Sequence, residues 1–218
     1  EVTNHPVPLA KYEGELVQYS FYSMSRKNME ELKDKGWDTN RIIDKIIDSV
    51  GGRIDYGISF KANDRILKEK FNSEPMHFGN SAGTNIYNGK NGLVVGTPHL
   101  KEESYKLIAC YLGENVNKED CEIRRREVLY NGFKFNIMSY SNKVLREIQL
   151  YMISSELEQS IGRSRLLRNY AKVYVFSNFP CMQAILHQED YLSENKEENF
   201  EVVEKIGLRS EDIEKLAS

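Results

Sequence analysis

Cysteine is scarce in this 218-residue chain. Cys110, Cys121 and Cys181 are an odd number without C-x-x-C spacing. That pattern argues against a zinc site and a disulfide framework, and it makes a reducing cytoplasm the expected compartment. Long apolar runs are also missing. None approaches the ~20 residues that cross a bilayer, and no signal peptide opens the chain, so no membrane partner is expected. Positive charge is not in excess: 30 Lys and Arg stand against 33 Asp and Glu, for a net charge of -3. Any contact with nucleic acid must then come from a local patch. No D-E-x-x box and no complete phosphate-binding P-loop occurs. Gly83–Lys90 imitates G-x-x-x-x-G-K-[ST], but it has one residue too many between its glycines, and Asn91 stands where a hydroxyl must hold magnesium. Repeats and low-complexity tracts are absent. The chain opens on Glu1 rather than Met and is expected to be an excised or processed piece.

What is present is ordinary globular material, 40% hydrophobic and 29% charged. Leu16–Phe21 alternates like a strand. A charged helix is expected over Ser25–Lys35, and a second over Asn40–Val50, ended by Gly51-Gly52. From there strand and helix alternate. Gly57–Phe60, Pro75–Phe78, Gly92–Gly96, Phe133–Met138 and Lys172–Ser177 read as strands, and Gly92–Gly96 is apolar throughout, as a strand covered on both faces should be. Helices are expected over Asn63–Phe71, Glu102–Leu112 and Ser141–Ser154. A further helix is expected to start at a Ser155/Glu158 capping box. This order predicts an α/β domain with a mostly parallel sheet and helices on both faces. Ligands on such sheets bind beyond the carboxyl ends of the strands. The loop after Phe78, the loop after Val95 and the helix before Lys172 are therefore the places to look.

The most informative segment is Gln159-Ser-Ile-Gly-Arg-Ser-Arg-Leu-Leu-Arg168. It predicts two or three arginines on the first turns of a helix, beside a glycine that lets another backbone approach. Guanidinium is always charged and forks onto phosphate oxygens, so clustered arginines at a sheet edge suit phosphoryl transfer. A second candidate is Ala82-Gly83-Thr84-Asn85, followed by Gly92–Gly96 and Thr97-Pro98. Gly83 can turn backbone amides toward a phosphate, and Thr84 and Asn85 offer neutral donors. Arg124-Arg-Arg126 is read first as an exposed helix or loop surface, with contact to a phosphate backbone as the alternative. The 13 tyrosines form no base-stacking platform, and His77 is read as an ordinary strand residue.

Gln159, Gly162 and Arg163 resemble the sixth motif of superfamily 2 helicases, Q-x-x-G-R-x-x-R. Leu166 stands at the eighth position, which leaves Arg165 or Arg168 as the second arginine. The Gly83–Asn85 and Gly92–Pro98 stretches resemble the fifth motif, with Asn85 where an acid is usual. Ile58–Lys61 resembles the fourth. The resemblance is to the second RecA-like motor domain of such an enzyme, over residues 51–180. Residues 1–50 are then an N-terminal extension of a strand plus helices, and residues 181–218 a C-terminal helical tail. It implies Arg163, with Arg165 or Arg168, as catalytic arginine fingers. It implies Gln159, Gly162 and Gly83 at ATP, and Lys61, Thr84 and Asn85 at DNA or RNA. ATP and Mg²⁺ would be held mainly by an N-terminal RecA-like P-loop domain of the same protein. The isolated chain is then expected to be inactive. An alternative is a RecA-like module that has lost catalysis and only binds nucleic acid or protein. A third is a serine hydrolase, because Gly79-Asn-Ser81-Ala-Gly83 matches G-x-S-x-G, with His99 or His187 as base and Asp120 as acid.

Overall fold

A computed structural model describes residues 10–19, 24–34, 36, 38–80, 83, 85–117, 121–131 and 133–187. Six parallel strands form one sheet in the order β3-β2-β4-β7-β1-β8. They are β1 (Glu15–Tyr19), β2 (Tyr56–Ser59), β3 (Met76–His77), β4 (Gly92–Val95), β7 (Lys172–Phe176) and β8 (Ile185–Leu186). β4 is buried at every residue and pairs with β2 on one side and β7 on the other, so its unbroken apolar run has no solvated face.

The two faces can be read from β7. Val173 and Val175 point into a core shared with Leu150, Ile153, Leu157 and Ile161 of helix α5 (Lys143–Ile161). Tyr174 and Phe176 point the other way, onto α1 (Arg26–Asp34), α2 (Thr39–Val50) and α3 (Asp64–Phe71). Strand side chains alternate in direction, so one central strand needs helices on both sides. The expected α/β class, with a parallel sheet flanked by helices, is what forms.

Local signals behave as their chemistry requires. Asp38 caps α2 by accepting from the Asn40 amide at 3.3 Å, and Gly51 ends it in the left-handed region at φ 59°. Asn63 precedes α3 but does not cap it. Its side chain turns inward and donates to Ser59 Oγ at 3.0 Å.

Three expectations are corrected. No helix begins at Ser155. α5 runs unbroken from Lys143 to Ile161, so the arginines follow a helix C-terminus instead of opening a helix. Ser154 donates to Glu158 Oε1 at 3.1 Å and Ser160 to the Glu156 carbonyl at 2.9 Å, which satisfies these hydroxyls inside the helix. Burial of Leu150, Ile153, Leu157 and Ile161 on one face then outweighs their weak helix preference.

Residues Arg124–Arg126 are not a helix or loop. They lie in β5 (Ile123–Tyr130), which pairs antiparallel with β6 (Phe133–Tyr140) in a separate hairpin between α4 (Glu102–Tyr111) and α5. The expected strand Phe133–Met138 belongs to this hairpin and not to the main sheet. The sequence signal for it is the dipeptide Asn131-Gly132, which favours two-residue hairpin connections; Asn131 has φ 51°.

The third correction concerns residues 1–50. β1 pairs with β7 along its whole length, and α1 and α2 cover one face of the sheet. These elements are built into the domain rather than appended to it. The expected C-terminal helical tail lies outside the described residues from 188 onward.

Candidate functional site

The candidate site is built where α5 runs out. Gly162–Ser164 is a single 3-10 turn, and Arg165 follows in the left-handed region at φ 53°. Gly162 has φ -62°, and a Cβ added there would meet open space, so neither its conformation nor a close approach requires glycine. Leu166 is 2% exposed and packs into the core, which explains why the eighth position of the motif is apolar: an arginine there would bury its charge. The turn hands directly to β7, so it lies at the amino edge of the parallel sheet. The carboxyl-end rule therefore does not locate it.

The loop before β4 reaches the same edge, and the two segments are joined by side chains eighty residues apart in sequence. The Arg165 guanidinium donates to Asn85 Oδ1. Asn169 Nδ2 donates to Asn88 Oδ1 at 2.9 Å and also to the Ser164 and Arg165 carbonyls. Gly89, at φ 73°, donates its amide to the Ser164 carbonyl at 3.1 Å. Asn91 Oδ1 accepts from the Lys172 amide at 2.9 Å. Asn85, Asn88 and Asn91 recur every third residue, and each meets the arginine turn or the strand it leads into. That spacing was legible in the sequence, but its partners were not.

Ser164 is the buried pin of this joint. Its hydroxyl donates to the Lys90 carbonyl at 2.7 Å, which leaves the Tyr56 hydroxyl, 2.8 Å away, to donate to it. Tyr56 stacks on Tyr87 with ring centroids 4.1 Å apart. Burial pushes the Tyr56 phenol well above its ordinary range, only partly offset by its Ser164 bond and by the nearby charge of Arg163. Tyr56 is therefore a neutral donor. Ser164→Ala strands a buried phenol and a carbonyl, and we expect a loss of about 1–3 kcal/mol in denaturant unfolding. Adding Tyr56→Phe to that variant should cost little more, because its partner is already gone. A full second loss would show the two hydroxyls to be independent.

The remaining candidates divide by position. Arg163 donates its Nε to the Gln159 carbonyl at 2.9 Å, so those two residues share the last helical turn. Arg165 and Arg168 are exposed. Gly83 has φ 80° in open space, the conformation glycine favours. Lys61 is exposed in the short turn Lys61–Asn63 at the carboxyl end of β2, on the opposite edge from Asn85. Thr84, Ser81 and Asp120 lie outside the described residues. Burial lowers His99 to about 4, and it sits 3.4 Å from Gln149 Nε2; His187 stacks on Tyr19. His77 pairs with Asp64 at 2.8 Å, a tie the strand reading did not include.

The carboxyl edge is closed by a satisfied polar network. Thr97, 1% exposed, bonds Ser177 at 2.8 Å and Asn178 at 3.0 Å, and Gln18 donates to the Ser177 and Phe179 carbonyls. Among the described residues no group of three His, Cys, Asp or Glu comes together to hold a metal, and no helix is long and apolar enough to cross a membrane. The chain matches no protein-family model, no curated protein and no solved structure.

Proposed function

We propose that this chain is the second RecA-like motor domain of an ATP-dependent superfamily 2 helicase or translocase. The observation that carries the proposal is the joint between the arginine turn and the Asn85–Asn91 loop. These are the two segments that resemble the sixth and fifth motifs. An α/β domain could leave them on different edges, yet here they form one bonded unit.

The exposed cationic edge fits the phosphates of a nucleotide presented by a P-loop domain in the same protein. ATP with Mg²⁺ supplies the phosphoryl group whose charge grows during hydrolysis. Arg163, held by its Nε on Gln159, presents a fork to that charge. Arg168 is the better second finger, because the Arg165 guanidinium is already committed to Asn85. Gln159, Gly162 and Gly83 line the nucleotide side. The Arg165–Asn85 bond ties nucleotide contacts to the loop that meets DNA or RNA. Lys61 meets the strand from the opposite edge. A change of grip on closure then follows from differential contacts in the two states.

The isolated chain should show ATP turnover indistinguishable from background, and the protein that includes the P-loop domain should show nucleic-acid-stimulated turnover. Robust hydrolysis by the purified 218-residue chain would remove the half-site proposal.

A further inference from the structure

Beside the arginine turn, and sharing Gly162, Arg165 and Arg168 with it, lies a cavity of about 400 Å³. That falls within the roughly 300–1,000 Å³ of small-molecule sites. Its floor is apolar: Leu157, Ile161, Leu166 and Phe179 are each at most 3% exposed. One wall is held in place by the chain itself. Gln183, at φ 60°, donates its Nε2 to the Ala10 carbonyl at 3.1 Å and accepts from the Tyr12 amide at 3.2 Å. The Cys181 amide donates to Gln18 Oε1 at 3.0 Å.

The polar groups of the cavity are of opposite sign. Glu158 lines it, with Oε1 accepting from the Ser154 hydroxyl. Among the described residues Glu158 Oε2 has no hydrogen-bond or ion-pair partner, and neither has the Arg168 guanidinium. Glu158 precedes Gly162 by one turn of α5, about 6 Å along the axis, so acceptor and cations stand apart and form no ion pair. Tyr12 adds a phenol that stays a neutral donor, raised first by burial and then by the neighbouring Glu158 and Cys181. The occupant that fits has a flat apolar body, hydrogen-bond donors and an anionic end. A nucleotide has all three. An acidic peptide would set a carboxylate against Glu158, and a hydrocarbon chain would bring it no donor.

We propose that this cavity holds the nucleoside end of the nucleotide. The base lies on the apolar floor, a ribose hydroxyl or exocyclic amine donates to Glu158, and the phosphates leave toward Arg168. This deepens the motor-domain reading and rests on it for where the phosphates lie. It makes Glu158 a binding residue and gives this domain, beside the P-loop domain, a share in recognising the nucleoside.

The test titrates ADP, adenosine and tripolyphosphate separately into the 218-residue chain by calorimetry. Adenosine should bind by itself and shift the Met182 methyl resonance, because Met182 lines the cavity. Glu158→Ala should weaken adenosine and ADP about tenfold, the cost of one hydrogen bond to a charged group. It should not weaken tripolyphosphate. Arg168→Ala should weaken ADP and tripolyphosphate and leave adenosine unchanged. Both residues are exposed, so neither change threatens the fold. No adenosine binding, or adenosine binding that survives Glu158→Ala or leaves Met182 unmoved, would overturn the proposal. The two readings fail separately. ATP turnover in the protein with the P-loop domain, without adenosine binding here, removes the nucleoside pocket alone. Adenosine binding here without that turnover removes the hydrolysis alone.

Discussion

Arg163→Ala, made in the protein that includes the P-loop domain, is expected to cut ATP turnover by about 10³–10⁵ while leaving nucleotide binding largely intact. The reason is one of timing. A finger meets charge that develops during transfer, so its loss raises the barrier more than it weakens the ground-state complex. Arg163→Lys should rescue poorly, because lysine keeps the charge and loses the planar fork. Arg163 is anchored through its Nε to the Gln159 carbonyl, a geometry lysine cannot reproduce. A plain surface residue at the end of α5 predicts something different: a stability change within about 0.5 kcal/mol and no change in rate. Steady-state turnover measured beside nucleotide affinity separates the two. Near wild-type turnover in Arg163→Ala would remove Arg163 from the chemistry.

Phe176→Ala should be the most destabilising of the core truncations, at about 3–5 kcal/mol. Phe176 is fully buried at the end of β7, and its ring stacks on Tyr19 with centroids 4.3 Å apart. For a domain of this size, that loss corresponds to a fall in Tm of roughly 6–20 °C. The same pair tests where β1 belongs. Tyr19 is the last residue of β1 and lies opposite Phe176 in the parallel register. A double-mutant cycle with Tyr19→Ala should return a coupling of about 0.5–1.5 kcal/mol. Strict additivity would mean that β1 is not paired with β7 in solution, and the sheet would lose the strand between β7 and β8.

Much of the architecture was written in local patterns. The apolar run of β4 and the glycine that ends α2 at Gly51 each depend on a few neighbouring residues, and each formed as expected. Failures came where local chemistry competed with packing. Ser154 and Ser155 suggested a helix break, but the apolar stripe from Leu150 to Ile161 carried α5 through them. The hairpin is hidden in the sequence because Arg124–Arg126 reads as a solvated charge cluster. Its inward residues Val128 and Ile137 declare themselves only when paired across the turn. Of the candidate site, the sequence showed the arginines and Asn85 but not their companions. Ser164, Tyr56 and Asn169 carry no signature of their own.

Sequence alone determined the α/β class, the alternation of strands and helices from β2 to α4, and the clustering of arginines before β7. These follow from periodicity, capping and composition, which act over a few residues. Only the tertiary structure decided that the arginines leave a helix C-terminus at the amino edge of the sheet. It also decided that Arg165 meets Asn85 and that Lys61 stands on the opposite edge. The physical reason is that β4 and β7 are parallel neighbours, Gly92 opposite Val173, and this pairing brings the segments before both strands to one edge. Such pairing joins residues some eighty positions apart and leaves no trace in either segment by itself.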